Sequence, residues 1–202
     1  TYIFLFASVN FEVFLLITFF ENRLAIKAEG DISQVKVKNY PSVTIIVPCW
    51  NEENTVSKTI NSLLSLDYPR NKLKIMVVDD GSTDNTWETV QKFKNNPQIE
   101  LHTKENGGKY TALNYGLSKL DTELVGCLDA DSYVHKDALK HIITYFEDKE
   151  TMAVAPSIKL WEPKTVLQLL QRVEYNFGIF TRKMFHYMHA IYITPGPFSI
   201  FR

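Results

Sequence analysis

The chain has 202 residues, of which 45% are hydrophobic, so it can bury a full core and should hold one domain with an appendage. Its formal net charge of −1 argues against a nucleic-acid partner, because proteins that bind a phosphate backbone carry a strongly basic surface. The two cysteines lack the Cys-x-x-Cys spacing of zinc and redox sites, which predicts reduced thiols.

The first element along the chain is an apolar run at Tyr2–Phe20, whose length is close to the roughly 20 residues that a helix needs to cross hydrocarbon. Asn10 and Glu12 interrupt this run, so a buried core helix is the alternative. A signal peptide fits less well, because its apolar core is shorter and ends in small residues. We predict a transmembrane helix over residues 1–26 and a polar linker over residues 27–42.

The residues after the apolar run indicate the topology. They include four basic side chains, Arg23, Lys27, Lys36 and Lys38. Because basic flanks stay on the cytoplasmic side, we expect the rest of the chain in the cytoplasm, attached to the plasma or inner membrane. The chain starts within the apolar run, without Met, and stops at Arg202, which predicts a fragment of a longer protein.

Residues 43–202 alternate between short β-branched runs and segments with helical spacing. The predicted strands are Val43–Val47, Leu73–Val78, Ile99–Thr103, Leu124–Leu128 and Met152–Ala155. Repeated strand, helix, strand order predicts an α/β fold, in which a mainly parallel, doubly wound sheet carries helices on both faces. A longer aromatic helix follows at Thr165–His189, and we expect it to pack in the core and at the surface. Contact with a bilayer is the alternative.

The first strand ends in PCWNEE. Pro48 cannot donate a ladder hydrogen bond, so it ends the strand and presents Trp50 and Glu52 at the carboxyl edge of the sheet. Open α/β folds bind nucleotides at this edge. The alternative is a simple turn, in which the acidic residues suit the positive end of the next helix.

The second strand ends in Asp79-Asp80-Gly81. Two adjacent carboxylates repel each other unless donors or a ligand receive them. Asp80-Gly81 explains a turn, and Ser82 or Asp84 is expected to cap the next helix. Asp79 is left without a structural task, which favours a ligand for it.

The segment ENGGK at Glu105–Lys109 precedes a predicted helix over Tyr110–Leu120. Gly107 and Gly108 let backbone N–H groups approach an anion, and Lys109 adds positive charge. This combination predicts a phosphate site, with an ordinary glycine-containing turn as the alternative.

The fourth strand ends in LDADS. Asp129 and Asp131 are costly in a buried parallel strand unless they lie at its exposed end and bind something. Their i, i+2 spacing points both side chains the same way. Hard oxygen ligands and substrate phosphates are how Mg²⁺ and Mn²⁺ are held, so we predict a divalent cation between these carboxylates and a diphosphate.

The motifs PCWNEE, VVDDGSTD, NGGKYTALNYG and LDADS, in this order, resemble those of the family 2 glycosyltransferases, which have the GT-A fold. The resemblance runs from about Ser42 to Arg202. PGPFSIFR, at Pro195–Arg202, resembles the acceptor-side segment of membrane-embedded, processive members such as hyaluronan, chitin, cellulose and poly-N-acetylglucosamine synthases. It therefore implies acceptor-side roles for Gly196, Pro197 and Arg202, within a GT-A domain at 43–202.

The resemblance also implies a role for each strand end. Pro48, Trp50 and Glu52 would border the uridine of the donor, Asp79 and Asp80 would contact base and ribose, Lys109 would lie near the nucleotide, and Asp129 with Asp131 would hold Mg²⁺ or Mn²⁺ on the diphosphate.

The activity implied by the resemblance is metal-dependent, inverting transfer of a sugar from a UDP-sugar to a glycan or lipid-linked acceptor, in polysaccharide synthesis at the membrane. The family's general base is expected after Arg202, so residues 1–202 alone should bind UDP weakly and transfer no sugar. A sugar nucleotidyltransferase would need a Gly-rich basic loop after the first strand, which PCWNEE lacks. A noncatalytic nucleotide-binding or scaffold module of a membrane assembly stays open as the alternative.

Overall fold

A computed structural model describes residues 2–29, 37–191 and 193–202, without the side chains of residues 28 and 29. Residues 30–36 of the predicted linker lie outside the described part. The helices and strands, in chain order, are α1 (Tyr2–Glu29), β1 (Val43–Cys49), α2 (Val56–Leu64), β2 (Leu73–Asp79), α3 (Thr86–Gln91), β3 (Ile99–Thr103), α4 (Lys109–Leu117), β4 (Leu124–Cys127), α5 (Ala138–Ile143), β5 (Ala153–Val154), α6 (Val166–Tyr187) and β6 (Ile200–Phe201).

The chain divides into two compact units. The first comprises Thr1–Gln34 and Ser157–Ile193, and the second comprises Val35–Pro156 and Thr194–Arg202. The segment that carries α6, which the sequence placed in the domain at 43–202, therefore groups with α1.

Helix α1 is the one helix of the described residues that is long and apolar enough to cross a membrane, with a mean hydropathy of 2.2. Its polar side chains bond within the helix: Asn10 Nδ2 donates to the carbonyl of Phe6 at 2.7 Å, and Thr18 Oγ1 donates to that of Phe14 at 3.0 Å. These bonds reduce the cost of polar groups in an apolar segment. Length and composition leave this helix a candidate membrane span.

Helix α6 begins with a capping box, in which Thr165 Oγ1 accepts from the N–H of Gln168 and the Gln168 side chain accepts from the N–H of Thr165. Its rings contact α1, with centroid distances of 6.1 Å between Phe11 and Phe185 and 5.9 Å between Phe19 and Phe180. The large apolar side chains of its first turns are exposed, namely Val166, Leu167, Leu170 and Val173. The core packing that we expected for this helix is therefore limited to its second half.

The second unit contains a six-stranded sheet of order β3-β2-β1-β4-β6-β5. The first four strands are parallel, whereas β6 is antiparallel to both β4 and β5. The mainly parallel α/β sheet predicted from the sequence is thus confirmed. Strand β6 was missed, because two residues are too few to show a period.

The buried core lies on both faces of this sheet. All seven residues of β1 are buried, and alternate residues point to opposite faces. Val43, Ile45 and Val47 pack with residues of α2 and α5, whereas Ile46 packs with Met76, Val78 and Ala112 of α4. Burial on both sides explains why β1 reads as a continuous apolar run.

The segment after Pro195 closes the edge of the sheet beside β4. A Cβ atom on Gly126 would collide with Ile200 Cδ1 and lie 2.9 Å from Ile45 Cδ1, so a larger residue would displace these side chains where β6 pairs with β4. Phe198 is buried at φ 57° and donates its N–H to the carbonyl of Cys127 at 2.5 Å. The Arg202 guanidinium donates to the carbonyls of Phe146 and Lys149, which anchors the end of the segment.

Candidate functional site

A pocket of about 440 Å³ opens at the carboxyl ends of β1, β2 and β4. It is lined by Pro48, Cys49, Trp50, Glu52, Asp80, Asn106, Gly108, Lys109, Asp129, Ala130 and Asp131. Seven of the predicted donor-side residues therefore lie together, because parallel strands end at one edge of a sheet. Asp79, Gly196, Pro197 and Arg202 are not among the lining residues. The sequence analysis assigned no site role to Cys49, Asn106 and Ala130, although they lie within the motifs PCWNEE, ENGGK and LDADS.

The loop after β1 holds Trp50 at the edge of the pocket, where 53% of the residue is exposed. The next residue, Asn51, adopts φ 56°, a left-handed conformation that asparagine tolerates. Its side-chain oxygen accepts from the N–H of Thr83 at 2.8 Å, and its own N–H donates to Ser82 Oγ at 3.0 Å. These bonds tie the loop after β1 to the loop after β2.

Glu52 and Glu53 both have structural bonds. The Glu52 carboxylate accepts from Thr55 Oγ1, and Glu53 accepts from the backbone N–H and the side chain of Asn85. The turn that we considered as an alternative therefore exists, while Glu52 also lines the pocket. A role of Glu52 in nucleotide binding stays a prediction.

The N-cap of α3 is Asn85, which makes no side-chain cap bond, rather than the predicted Ser82 or Asp84. Asp84 Oδ1 accepts from the N–H of Thr86 at 2.9 Å, at the first turn of the helix. Ser82 instead donates its hydroxyl to Asp79 Oδ1 at 2.5 Å.

The prediction that Asp79 lacks a structural task is wrong. This residue is 2% exposed and accepts from Ser82 Oγ, from the Ser82 N–H and from Thr103 Oγ1. Thr103 is its partner in the register of β2 and β3, so the carboxylate joins the ends of two strands. Adjacent strand residues point to opposite faces, which turns Asp79 away when Asp80 faces the pocket.

Asp80 organises the loop that precedes α4. It is 2% exposed and accepts from Lys104 Nζ at 2.5 Å, from the Gly108 N–H at 2.7 Å and from the Gly107 N–H at 3.2 Å. The two glycine N–H groups predicted to hold a phosphate thus hold a protein carboxylate. Burial favours the neutral acid, but the bonds from Lys104 and the glycines outweigh it, so the pKa of Asp80 is lowered.

Lys109 and Asp129 form an ion pair inside the pocket, with Lys109 Nζ 2.5 Å from Asp129 Oδ1. The side chains are 53% and 29% exposed, respectively. Burial disfavours the charged lysine, but the hydrogen bond and the charge of Asp129 outweigh this effect and raise the pKa of Lys109. The Lys109 side chain is therefore positively charged at neutral pH.

The two carboxylates after β4 suit a divalent cation whose remaining ligands are substrate phosphates and water. Asp129 and Asp131 both line the pocket, and Ser132 Oγ donates to Asp131 Oδ1 at 3.4 Å. In the described part of the chain, no group of three or more His, Cys, Asp and Glu side chains could hold a metal by itself. Two carboxylates plus substrate phosphates and water are a usual donor set for Mg²⁺.

Cys49 and Cys127 are both free thiols. Burial raises the pKa of Cys127 to about 11 and raises that of Cys49 further. Both groups are therefore neutral at physiological pH, and Cys49 forms an uncharged part of the pocket wall.

Three comparisons with known proteins extend these observations. The family model described as glycosyl transferase family 2 matches residues 44–202. A poly-beta-1,6-N-acetyl-D-glucosamine synthase of Staphylococcus aureus (strain MSSA476) is 34% identical over 157 residues, which are 77% of this chain and 37% of the relative. The corresponding synthase of Staphylococcus epidermidis is 34% identical over 164 residues, 79% of this chain and 39% of the relative. The chain thus spans less than two fifths of the curated relatives that it matches.

Two solved structures share the fold. S. aureus TarS 1–349 in complex with UDP-GlcNAc has a TM-score of 0.56 and 28% identity, covering 62% of this chain and 36% of that one. The mannosyltransferase PcManGT from Pyrobaculum calidifontis, in complex with GDP-Man and Mn²⁺, has a TM-score of 0.66 and covers 94% of this chain and 54% of that one. At 24% identity, the second likeness shows the fold alone.

Proposed function

Because this chain belongs to glycosyl transferase family 2, we propose that it carries the donor half of an inverting transferase that uses a UDP-sugar for polysaccharide synthesis at a membrane. The observation that carries this proposal is the pocket itself, which brings Trp50, Lys109, Asp129 and Asp131 to one sheet edge. The synthase relatives and the TarS complex with UDP-GlcNAc support N-acetylglucosamine as the transferred sugar. The acceptor is a glycan or a lipid-linked sugar.

The donor binds along the lined edge. Pro48, Trp50 and Glu52 border the uridine, for which the exposed indole of Trp50 offers an aromatic face. Asp80 contributes to this wall from its position next to Gly108. Lys109 faces the diphosphate, because it is the one cationic side chain among the lining residues. Asp79 supports this wall by holding Ser82 and Thr103.

Asp129 and Asp131 hold the Mg²⁺ or Mn²⁺ that accompanies the diphosphate. When bound, such a cation supplies positive charge to the departing diphosphate. The carboxylates orient the leaving group, so that the face of the sugar opposite UDP stays open to the acceptor hydroxyl. Attack from that face inverts the configuration at the anomeric carbon.

The general base comes from outside the described pocket. The acidic side chains that line it already have tasks: Glu52 accepts from Thr55, Asp80 accepts from Lys104, and Asp129 and Asp131 are assigned to the cation. An acid with these partners is a poor acceptor for the proton of an incoming hydroxyl. Gly196, Pro197 and Arg202 contribute on the acceptor side through the segment that closes the sheet.

A radiolabelled transfer assay tests this function. The full-length protein should transfer N-acetylglucosamine from UDP-GlcNAc, whereas purified residues 1–202 should bind UDP weakly and stay at background. Loss of a general base costs about 10²–10⁴ in rate. Sustained turnover by residues 1–202 would place the base within them. A full-length protein that binds UDP and transfers no sugar would support a noncatalytic module instead.

Helix α1 spans the membrane and leaves the chain after it in the cytoplasm. Its length and hydropathy support the span, and the basic residues that follow support the orientation. A reporter that is active only in the cytoplasm should therefore be active when fused after Lys38. The same reporter without α1 serves as the control for expression. Activity only of a reporter specific to the outer side, or release of the full protein by carbonate, would contradict this topology.

A further inference from the structure

Lys109 lies on one of the two carboxylates that the proposed function assigns to the cation. We propose that Lys109 exchanges partners during donor binding: it neutralises Asp129 in the free protein and moves to the donor diphosphate, which frees Asp129 for the metal. The 2.5 Å ion pair is the starting state of this exchange. The proposal rests on the proposed function and adds an order to its binding steps.

The charges of the pocket explain why the free protein needs the positive charge of Lys109 there. Four carboxylates line it, those of Glu52, Asp80, Asp129 and Asp131, against the single ammonium of Lys109. The charge of Asp80 is compensated by Lys104, which does not line the pocket. Asp129 and Asp131, which line the same pocket, would otherwise repel each other and repel the incoming diphosphate. Lys109 lowers this repulsion until the donor and its cation arrive.

The structure distinguishes the lysine that can move from the lysine that cannot. Lys104 is 22% exposed, and its ammonium donates to Asp80, to the carbonyl of Glu105 and to Thr111 Oγ1. Lys109 is 53% exposed and has Asp129 as its close carboxylate. A lysine with four flexible carbons and one partner can swing to a nearby phosphate.

The backbone of Lys109 stays fixed during this movement. Lys109 is the first residue of α4, and the preceding Gly108 adopts φ 92° with its N–H on Asp80. Thr111 donates its N–H and its hydroxyl to the carbonyl of Gly108. The helix start therefore acts as a rigid base from which only the side chain swings.

The exchange makes the cation and the nucleotide bind cooperatively. In the free protein, a metal must displace Lys109 from Asp129, whereas in the nucleotide complex that lysine is already on the phosphate. Linkage requires that the cation strengthen nucleotide binding by the same factor. Removal of Lys109 should therefore weaken both the effect of the nucleotide on cation binding and the effect of the cation on nucleotide binding.

Binding of Mn²⁺ to the full-length protein, followed by the paramagnetic signal of free Mn²⁺ with and without UDP, tests the exchange. Lys109→Met should bind Mn²⁺ without UDP about tenfold more tightly than the unchanged protein, and UDP with Mn²⁺ about tenfold more weakly. Lys109→Arg should keep both values near those of the unchanged protein. Lys58→Met, which removes an exposed lysine of α2, is the matched control for charge and should alter neither.

Unchanged or weaker Mn²⁺ binding by Lys109→Met without UDP, or no measurable binding by either protein, would overturn the exchange. Lys109→Gln provides a second neutral variant, and thermal unfolding verifies that each variant is folded. The failure of the proposed function has a different signature, because an unchanged protein that binds no UDP and transfers no sugar fails before Lys109 is altered. A protein that transfers sugar while Lys109→Met leaves Mn²⁺ binding unchanged refutes only the exchange.

Discussion

Asp131→Asn in the full-length protein is expected to lower sugar transfer by about three orders of magnitude. The reason is that the variant replaces one of the two carboxylates proposed for the cation, and metal charge on a leaving group contributes several kcal/mol. Asp131 lines the pocket, and its described hydrogen-bond partner is the neighbouring Ser132 at 3.4 Å. Its loss should therefore leave the fold intact.

Titration of UDP with and without Mn²⁺ separates this effect from a general loss of activity. The unchanged protein should bind UDP more tightly with Mn²⁺, and Asp131→Asn should lose most of that gain. Asp121→Asn is a matched control, because Asp121 is 67% exposed and pairs with Lys74 on β2. Metal-dependent UDP binding that survives in Asp131→Asn would show that Asp131 is not the ligand.

Asp80→Ala is expected to destabilise the protein by about 3 kcal/mol. Removal of one partner from a buried ion pair leaves the other charge uncompensated. The variant would strand Lys104, which is 22% exposed, and the N–H groups of Gly107 and Gly108. The comparison is thermal unfolding of the unchanged and altered full-length proteins in detergent.

Two further variants decide whether the loss comes from the Lys104 pair. Asp80→Ala combined with Lys104→Met should recover part of the stability, because no charge is left unpaired. Asp121→Ala breaks an exposed ion pair with Lys74 and should have little effect. If Asp80→Ala unfolds at the same temperature as the unchanged protein, the loop does not depend on this carboxylate.

The pH dependence of stability has a definite sign for Asp80. The pKa of Asp80 is lower in the folded protein than in the unfolded chain, where the pKa of aspartate is about 3.9. The stability that it contributes is therefore present above that value and is lost as the pH falls toward the folded-state pKa. Below about pH 4, Asp80→Ala should lose stability less steeply than the unchanged protein.

The sequence predicts the place of the site better than the task of each residue in it. Apolar runs that stop at acidic residues locate the strand ends, and parallel pairing brings those ends together. The pair Asp79-Asp80 could not be divided between roles, because that division depends on the pleat of β2 and on Thr103 from another strand. The Gly107 and Gly108 N–H groups likewise bond a carboxylate that lies far back in the chain.

The sequence also could not predict the shortest strand or the burial of the aromatic helix α6. Strand β6 has two residues, and its position depends on the space that Gly126 leaves for Ile200. The aromatic composition of α6 suggests that the helix is buried, but the exposure of each side chain depends on which other elements pack against it. Helix α1 supplies such neighbours for Phe180 and Phe185, whereas the first turns of α6 remain uncovered.

The late position of β6 in the chain imposes an order on biosynthesis. When strand β4, which leads to Asp129, is synthesised, its partner β1 is already present on one side, but Ile200 and Phe201, which pair with its other edge, are synthesised later. Contacts between distant parts of a chain form after local ones, because loop closure must come first. During that interval the growing chain exposes an unpaired strand edge to other nascent chains. Translation pauses between β5 and β6 should therefore raise aggregation more than pauses earlier in the sheet.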